Sequence, residues 1–128
     1  MENKVRLIIE LPNKVLAEVA AESIIIPAKK GDVTILSERA PSVFATDFGQ
    51  VQLLDGAART TERYFVAAGV ADTAQGLIRL MTPMAVAAKD ISVDEARKKA
   101  SDETDEAKKM FYRMIADKLE NKTGSYKY

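Results

Sequence analysis

The sequence of 128 residues contains neither cysteine nor histidine. Without cysteine the chain can form no disulfide and offers no thiolate nucleophile, and without either residue it lacks the usual zinc ligands. Histidine is also the ordinary general base near neutral pH. An enzyme built on this chain would depend on carboxylate, lysine or tyrosine chemistry, and we predict no metal site.

Long apolar runs and an excess of one charge sign are also missing. Near the N-terminus, Arg6 and Glu10 interrupt a short apolar run, which predicts neither a signal peptide nor a membrane span. We therefore expect the protein to stay on the cytoplasmic side. Lys+Arg and Asp+Glu both number 19, so the chain has no long-range positive field to attract nucleic acid or an acidic membrane.

Short runs of strand-forming residues, separated by turn residues, fill the first 90 positions. Apolar residues alternate along several of them, which is typical of half-buried strands, and Pro27 should end the second run. This spacing indicates an antiparallel sandwich or barrel. The predicted strands are Val5–Leu11, Ala20–Ile26, Val33–Leu36, Gly49–Leu54, Arg63–Ala67, Gly69–Thr73 and Leu77–Thr82.

The composition changes at Asp90, after which helical signals dominate. Ser92 and Glu95 have the spacing of a capping box, so a helix should start at about Val93. A second helix could start with Asp102 or Thr104 as its cap and close near residue 122, with a glycine at 124. Its predicted apolar stripe is Ala107, Met110, Phe111, Met114, Ile115 and Leu119.

We therefore predict a mainly β protein with an α appendage: a β-sandwich over residues 1–90, followed by a short C-terminal helical hairpin over residues 91–128. The second helical segment is near the minimum length for an isolated helix in water, so it should be helical chiefly when docked. We hypothesise that this helix has two stable positions.

The segment from Gly31 to Pro41, GDVTILSERAP, combines a turn, a short apolar strand and an exposed charged pair. Taken alone it could be an ordinary hairpin connection, but its composition is typical of a contact loop. Ser37 is the only hydroxyl beside Glu38 and Arg39, and no histidine exists to activate it, so catalysis there is not expected.

Several motifs in this order resemble one family. They are Gly31-Asp32, Ala40-Pro41, Gly49, the YFVAAG segment ending at Gly69, and Val93-Asp94 followed by Arg97. Together they resemble the epsilon subunit of rotary F-type ATP synthases, whose mitochondrial counterpart is called delta. The resemblance covers nearly the whole chain in order and spacing.

The resemblance implies a non-catalytic subunit of the central stalk, or rotor, which couples ion-driven rotation to ATP synthesis. In that family the sandwich lies beside the gamma subunit and rests on the ring of c subunits. The residues that correspond to the ring contact are Gly31, Asp32, Arg39, Ala40 and Pro41. The protein would be peripheral on the cytoplasmic face of a bacterial inner membrane, or on the matrix side of an organelle inner membrane.

The resemblance also assigns roles to the helices. By position, Lys108, Lys109 and Arg113 could face the alpha and beta catalytic subunits and inhibit ATP hydrolysis. Asp94 and Arg97 match the first part of an ATP-sensing motif, although Thr104 stands about where a further arginine would fall. No other cofactor is expected.

Plainer interpretations accompany these roles. The basic residues of the second helix could form a solvated face, and Asp94 with Arg97 could be a helix-start acid with its neighbour at i+3. A β-sandwich adaptor outside rotary ATPases, with a helical partner-binding arm, would share the strand pattern. A carboxylate-dependent hydrolase is a third class, but no glycine-rich phosphate loop is present and we predict no turnover.

Overall fold

The computed structural model describes residues 4–121 of the chain, with the side chain of Asn121 excepted. This part contains ten strands, a 3₁₀ turn at Ala88–Asp90 and two α-helices. The strands are β1 Val5–Leu11, β2 Lys14–Ala21, β3 Ser23–Ala28, β4 Gly31–Ile35, β5 Ser42–Ala45, β6 Gly49–Leu54, β7 Thr60–Val66, β8 Val70–Ala74, β9 Leu77–Met81 and β10 Ala85–Ala87, and the helices are α1 Val93–Asp102 and α2 Glu106–Asn121.

The strands form two five-stranded sheets, in the orders β2-β1-β9-β8-β5 and β10-β7-β6-β3-β4. The predicted β-sandwich followed by two helices is confirmed. Paired strands in the described part are antiparallel except for β1 and β9, which are parallel and make the first sheet mixed. The β8–β9 hairpin closes as predicted, with Gln75 and Gly76 both at positive φ, the conformation that a two-residue type I′ turn requires.

The sandwich core is built from the inward half of each alternating strand. On β1, Val5, Leu7 and Ile9 are fully buried, because their side chains share one face of the strand. Burying each such side chain contributes roughly 1.5–3 kcal/mol. The same cluster includes Ile24, Ile26, Ile35, Val51, Leu53, Tyr64, Val66, Ile78 and Leu80.

The helices cover a second, separate apolar cluster. Phe111 and Ile115 of α2 are buried against Phe65 and Ala67, together with Ala96 of α1. The predicted capping box is present: the Glu95 amide donates to Ser92 Oγ at 3.1 Å, and the Ser92 amide donates to Glu95 Oε1 at 2.9 Å. The division at residue 90 stays a prediction, since this cluster joins side chains from both parts.

The start of α2 differs from the predicted one. Asp105, rather than Asp102 or Thr104, caps the helix, because its Oδ1 accepts from the amides of Ala107 at 2.9 Å and Lys108 at 3.1 Å. The expected end near residue 122 lies outside the described residues.

The predicted apolar stripe of α2 is partly wrong. Ala107 is exposed and the Met110 side chain is 52% exposed. Burial begins at Phe111 and continues through Ile115 and Ala116, because only the later turns of the helix lie over β7.

Three strands were not predicted, and one extends beyond its predicted end. Strand β2 begins directly after a tight turn at residues 12–13, and β5 and β10 are edge strands of four and three residues. Strand β3 continues through Pro27, which faces Asp32 of β4. Pairing of β3 with β6 ends at Ile25. Because that ladder has already stopped, the missing N–H of Pro27 costs no hydrogen bond to β6.

Candidate functional site

The five residues predicted for ring contact lie at the two ends of strand β4. Gly31 and Asp32 begin the strand, whereas Arg39, Ala40 and Pro41 lie in the loop that follows its end. A strand rises about 3.3 Å per residue, so the two ends of this five-residue strand are roughly 13 Å apart. The structure therefore does not bring them into one cluster but places them at the two ends of an edge strand.

The first end is a tight hairpin turn. Gly31 has a φ of +122°, which an L side chain rarely adopts, and the turn exposes Lys29 and Lys30 beside it. The Lys29 amide donates to the Ala45 carbonyl at 3.4 Å, and its ammonium lies 3.9 Å from Asp47. These contacts hold the turn against the end of β5, so the two sheets meet at this corner.

The second end is the loop at residues 36–41. The Arg39 amide donates to the Leu36 carbonyl at 3.1 Å, and the Arg39 guanidinium lies 5.8 Å from the centre of the Phe44 ring. Leu36 is 50% exposed, and Ala40 and Pro41 are exposed as well. The loop thus offers apolar and charged groups together on a backbone that a turn and a ring contact hold in place.

Sequence reasoning missed an apolar patch on the outer face of the first sheet. Val43 and Ala45 of β5, Val70 of β8 and Met81 of β9 form this outer patch, in which Val70 faces Ala45 on one side and Met81 on the other. Val43 is 68% exposed, Val70 41% and Met81 38%. The run Val70-Ala71 places one apolar residue on each face of β8. This was the signal in the sequence that pointed to an apolar outer face.

The first helix carries the two residues predicted for ATP sensing. Asp94 is exposed in the first turn of α1, where a carboxylate opposes the helix dipole. Arg97 makes an ion pair with Glu120 near the end of α2. Both partners are about half exposed, so the pair fixes orientation more than it adds stability.

The three basic residues predicted for inhibition divide into two groups. Lys109 and Arg113 line a groove of about 380 Å³ between the helices, and Arg97 lines the same groove. Lys108 is exposed and does not belong to that lining. The groove thus brings together Arg97 from the predicted ATP-sensing pair and two of the three residues predicted for inhibition. The acidic residue Asp117 lines the same groove.

Among the described residues, the side chains of Asp55 and Tyr64 have clearly shifted pKa values, and both shifts have structural causes. The amides of Arg59 and Ala57 donate to Asp55 in the β6–β7 turn and lower the pKa of its carboxyl. Burial raises the pKa of Tyr64 to about 12, and its hydroxyl also donates to Glu62 at 3.1 Å. Neither group faces the outer patch, so neither indicates an acid or base for chemistry there.

The described part of the chain, residues 4–121, contains no group of three or more potential acidic ligands arranged to hold a metal ion. Its helices are too short or too polar for any of them to cross a bilayer.

Comparison with known proteins identifies the family. The family described as "ATP synthase, Delta/Epsilon chain, beta-sandwich domain" matches residues 4–88. The chain is 36% identical over 87 residues to the ATP synthase epsilon chain of Gluconacetobacter diazotrophicus, covering 67% of this chain and 60% of that relative. It is 31% identical over 102 residues to the epsilon chain of Mesorhizobium japonicum, covering 74% and 75% respectively.

Solved structures share the fold at low sequence identity. A chain of the Euglena gracilis mitochondrial ATP synthase superimposes with a TM-score of 0.63 at 17% identity, covering 98% of this chain and 82% of that one. A chain from the central stalk and c-ring of the Tetrahymena thermophila mitochondrial ATP synthase gives 0.59 at 12% identity, covering 90% and 96%. The fold and the sequence relatives agree: the chain belongs to the delta/epsilon family of non-catalytic ATP synthase subunits.

Proposed function

We propose that this chain is a central-stalk subunit of an F-type ATP synthase, which passes ion-driven rotation of the c-ring to the catalytic complex. The observation that carries the proposal is the outer patch of Val43, Ala45, Val70 and Met81 on a sandwich of the delta/epsilon family. Exposed apolar side chains on a rigid sheet are typical of a surface that a partner covers. Family membership also disfavours an adaptor outside rotary ATPases.

The outer patch is the proposed contact with the gamma subunit. Its residues come from three neighbouring strands, β5, β8 and β9, so their relative positions are set by backbone pairing. Asp72 on β8 and Arg79 on β9, which are opposite each other in the ladder, add charges of both signs beside the patch. An apolar centre with charges beside it suits an interface that must hold one orientation.

The edge strand β4 is the proposed contact with the c-ring. Gly31 and Asp32 lie at one end of it and Arg39 to Pro41 follow the other, so one edge of the sandwich presents both groups, separated by about 13 Å of strand. Thr34 is exposed between these ends. This arrangement supports a linear contact across polar loops rather than insertion of a single tip.

The helical hairpin is the proposed regulatory part. Arg97, Lys109 and Arg113 could face acidic loops of the alpha and beta subunits and thereby restrain ATP hydrolysis. ATP sensing through Asp94 and Arg97 would require the Arg97 side chain to exchange Glu120 for a phosphate. The protein would lie peripherally on the cytoplasmic face of a bacterial inner membrane, in keeping with its bacterial relatives.

Co-purification with gamma tests the main contact. Val43→Asp and Val70→Asp should each weaken retention of a tagged gamma subunit at least tenfold, because each places a charge within an apolar contact. Val15→Asp is the matched control: Val15 is a 49% exposed valine of the same outer face, but Glu10 separates it from Met81. Equal retention of all three variants would contradict the proposed contact.

ATP hydrolysis tests the helices. The reconstituted catalytic complex should hydrolyse ATP faster with a chain ending at Asp90 than with the full chain. A charge-reversal variant, Arg113→Glu, should raise the rate in the same direction, whereas Lys108→Glu, outside the groove, should change it less. Equal rates for the full and shortened chains would remove the regulatory role and leave the coupling role in place.

A further inference from the structure

Strand β10 leaves one backbone edge facing away from its sheet. Val86 faces Phe65 of β7, and the Ala67 amide donates to the Met84 carbonyl at 2.9 Å. In an antiparallel pair, residues alternate between bonding to the neighbour and turning their backbone groups away from it. Ala85 therefore directs its N–H and C=O away from β7, toward the free side of the second sheet.

An apolar groove lies along that free side. Ala85 and Val86 line a cavity of about 280 Å³, with Leu11 of β1 on one wall and Phe111 and Tyr112 of α2 on the other. A neighbouring cavity of about 430 Å³ shares Leu11 and Pro83 with it and extends the groove past Pro12 and Met81. An extended chain laid along β10 would thus place alternate side chains toward the sandwich and toward the helix.

The charges of this groove have mostly one sign. Asp90 and Glu95 line the smaller cavity and Glu10 lines the larger one, whereas Lys99 is the basic residue in the lining. The Lys99 ammonium lies 5.7 Å from the centre of the Tyr112 ring, and Glu10 is paired with Arg79. Because Arg79 offsets Glu10, the acidic excess of the lining comes from Asp90 and Glu95, and it complements a segment that carries basic residues among apolar ones.

We propose that this groove, the β10 groove, binds an extended, basic and apolar segment of a partner protein, which adds to β10 as an extra strand. Backbone hydrogen bonds to Ala85 would supply register, and the walls at Leu11 and Tyr112 would select side chains. The β10 groove lies on the opposite edge of the second sheet from β4, and only its larger cavity reaches the outer patch, at Met81. The smaller cavity beside Ala85 and Val86 has no outer-patch residue in its lining, so it would stay accessible while the two proposed stalk contacts are made.

Peptide binding to the full chain tests the proposal. The probes are two fluorescein-labelled hexapeptides, one alternating lysine with valine and the other alternating glutamate with valine. In fluorescence anisotropy the lysine peptide should bind at least tenfold more tightly. Ala85→Pro should weaken binding of the lysine peptide at least tenfold, because it removes a backbone N–H that is not bonded to β7. Ala85→Ser keeps this N–H, so its affinity for the peptide should stay within twofold of the original.

Charge and hydrogen-exchange measurements complete the test. Asp90→Lys should weaken binding of the lysine peptide at least threefold. Glu18→Lys, which makes the same charge change on β2, should leave the affinity unchanged. In the unmodified protein, the peptide should slow exchange of the Ala85 amide, a readout that holds even if Ala85→Pro fails to fold. Equal affinity for both peptides, unchanged Ala85 exchange, or sedimentation as a dimer filling its own groove would each overturn the proposal.

Discussion

Replacing Gly69 with alanine should destabilise the sandwich by about 3 kcal/mol, the upper end of the usual cost of overpacking. A Cβ at this position would lie 2.0 Å from the Met81 carbonyl oxygen and 3.0 Å from the Thr82 Cα, and both neighbours are backbone. Relief requires the β7–β8 turn to move away from the end of β9. That movement also strains the 2.9 Å hydrogen bond that the Gly69 amide donates to Oγ1 of the buried Thr46.

Urea and thermal unfolding measure this cost. For a chain of this size about 3 kcal/mol corresponds to a fall in melting temperature of roughly 12 °C. Gly56→Ala is the matched control, because its Cβ would come no closer than 4.0 Å to Glu22, so its stability should stay within about 1 kcal/mol of the original. A melting temperature for Gly69→Ala within about 3 °C of the unmodified protein would refute the packing argument.

Three further predictions concern the helices and the core. Phe111→Ala should cost about 3–5 kcal/mol in urea unfolding, whereas Met110→Ala, 52% exposed, should stay within about 0.5 kcal/mol. Ser92→Ala should cost about 1 kcal/mol and speed amide exchange in α1, since the capping box is lost. Because the pKa of Tyr64 is raised to about 12, its stabilising effect should be complete below about pH 10 and lost toward pH 12, as urea unfolding across that range and a phenolate absorbance titration would show.

Alternation predicted the strands that contribute heavily to the core and missed those that do not. Strand β1 carries three fully buried residues on one face, so its pattern is clear from sequence. Strand β5 buries little at the edge of the first sheet, and β10 has only three residues. A short edge strand is defined by a neighbour that is distant in sequence, so its own residues carry little signal.

Two local rules were also overridden by tertiary context. Pro27 was expected to end a strand, but it lies where β3 has already left β6, and its ring packs beside Gly49. Met110 fits the helical stripe by spacing, yet α2 lies over β7 only from Phe111 onward. Periodicity identifies an apolar face but not how much of its length a neighbour covers.

The candidate site shows the same limit. The order of motifs in the sequence predicted Gly31, Asp32 and Arg39 to Pro41 as contact residues. Only the structure shows that the length of β4 separates them, so that they lie at the two ends of an edge strand. The outer patch could not be read from single strands, because Val43, Val70 and Met81 become neighbours only through pairing of β5, β8 and β9. Surfaces assembled across strands need the register, which a single sequence does not provide.

Strand β7 explains how two apolar clusters can coexist in so small a protein. Tyr64 and Val66 face the sandwich core, while Phe65 between them faces the helices. Since alternate residues of one strand serve the two clusters, removal of the helices would uncover Phe65 without opening the sandwich. The sandwich can thus keep the outer patch and the β4 edge in place while the hairpin gains or loses contacts, which is the separation that the proposed coupling and regulatory roles require.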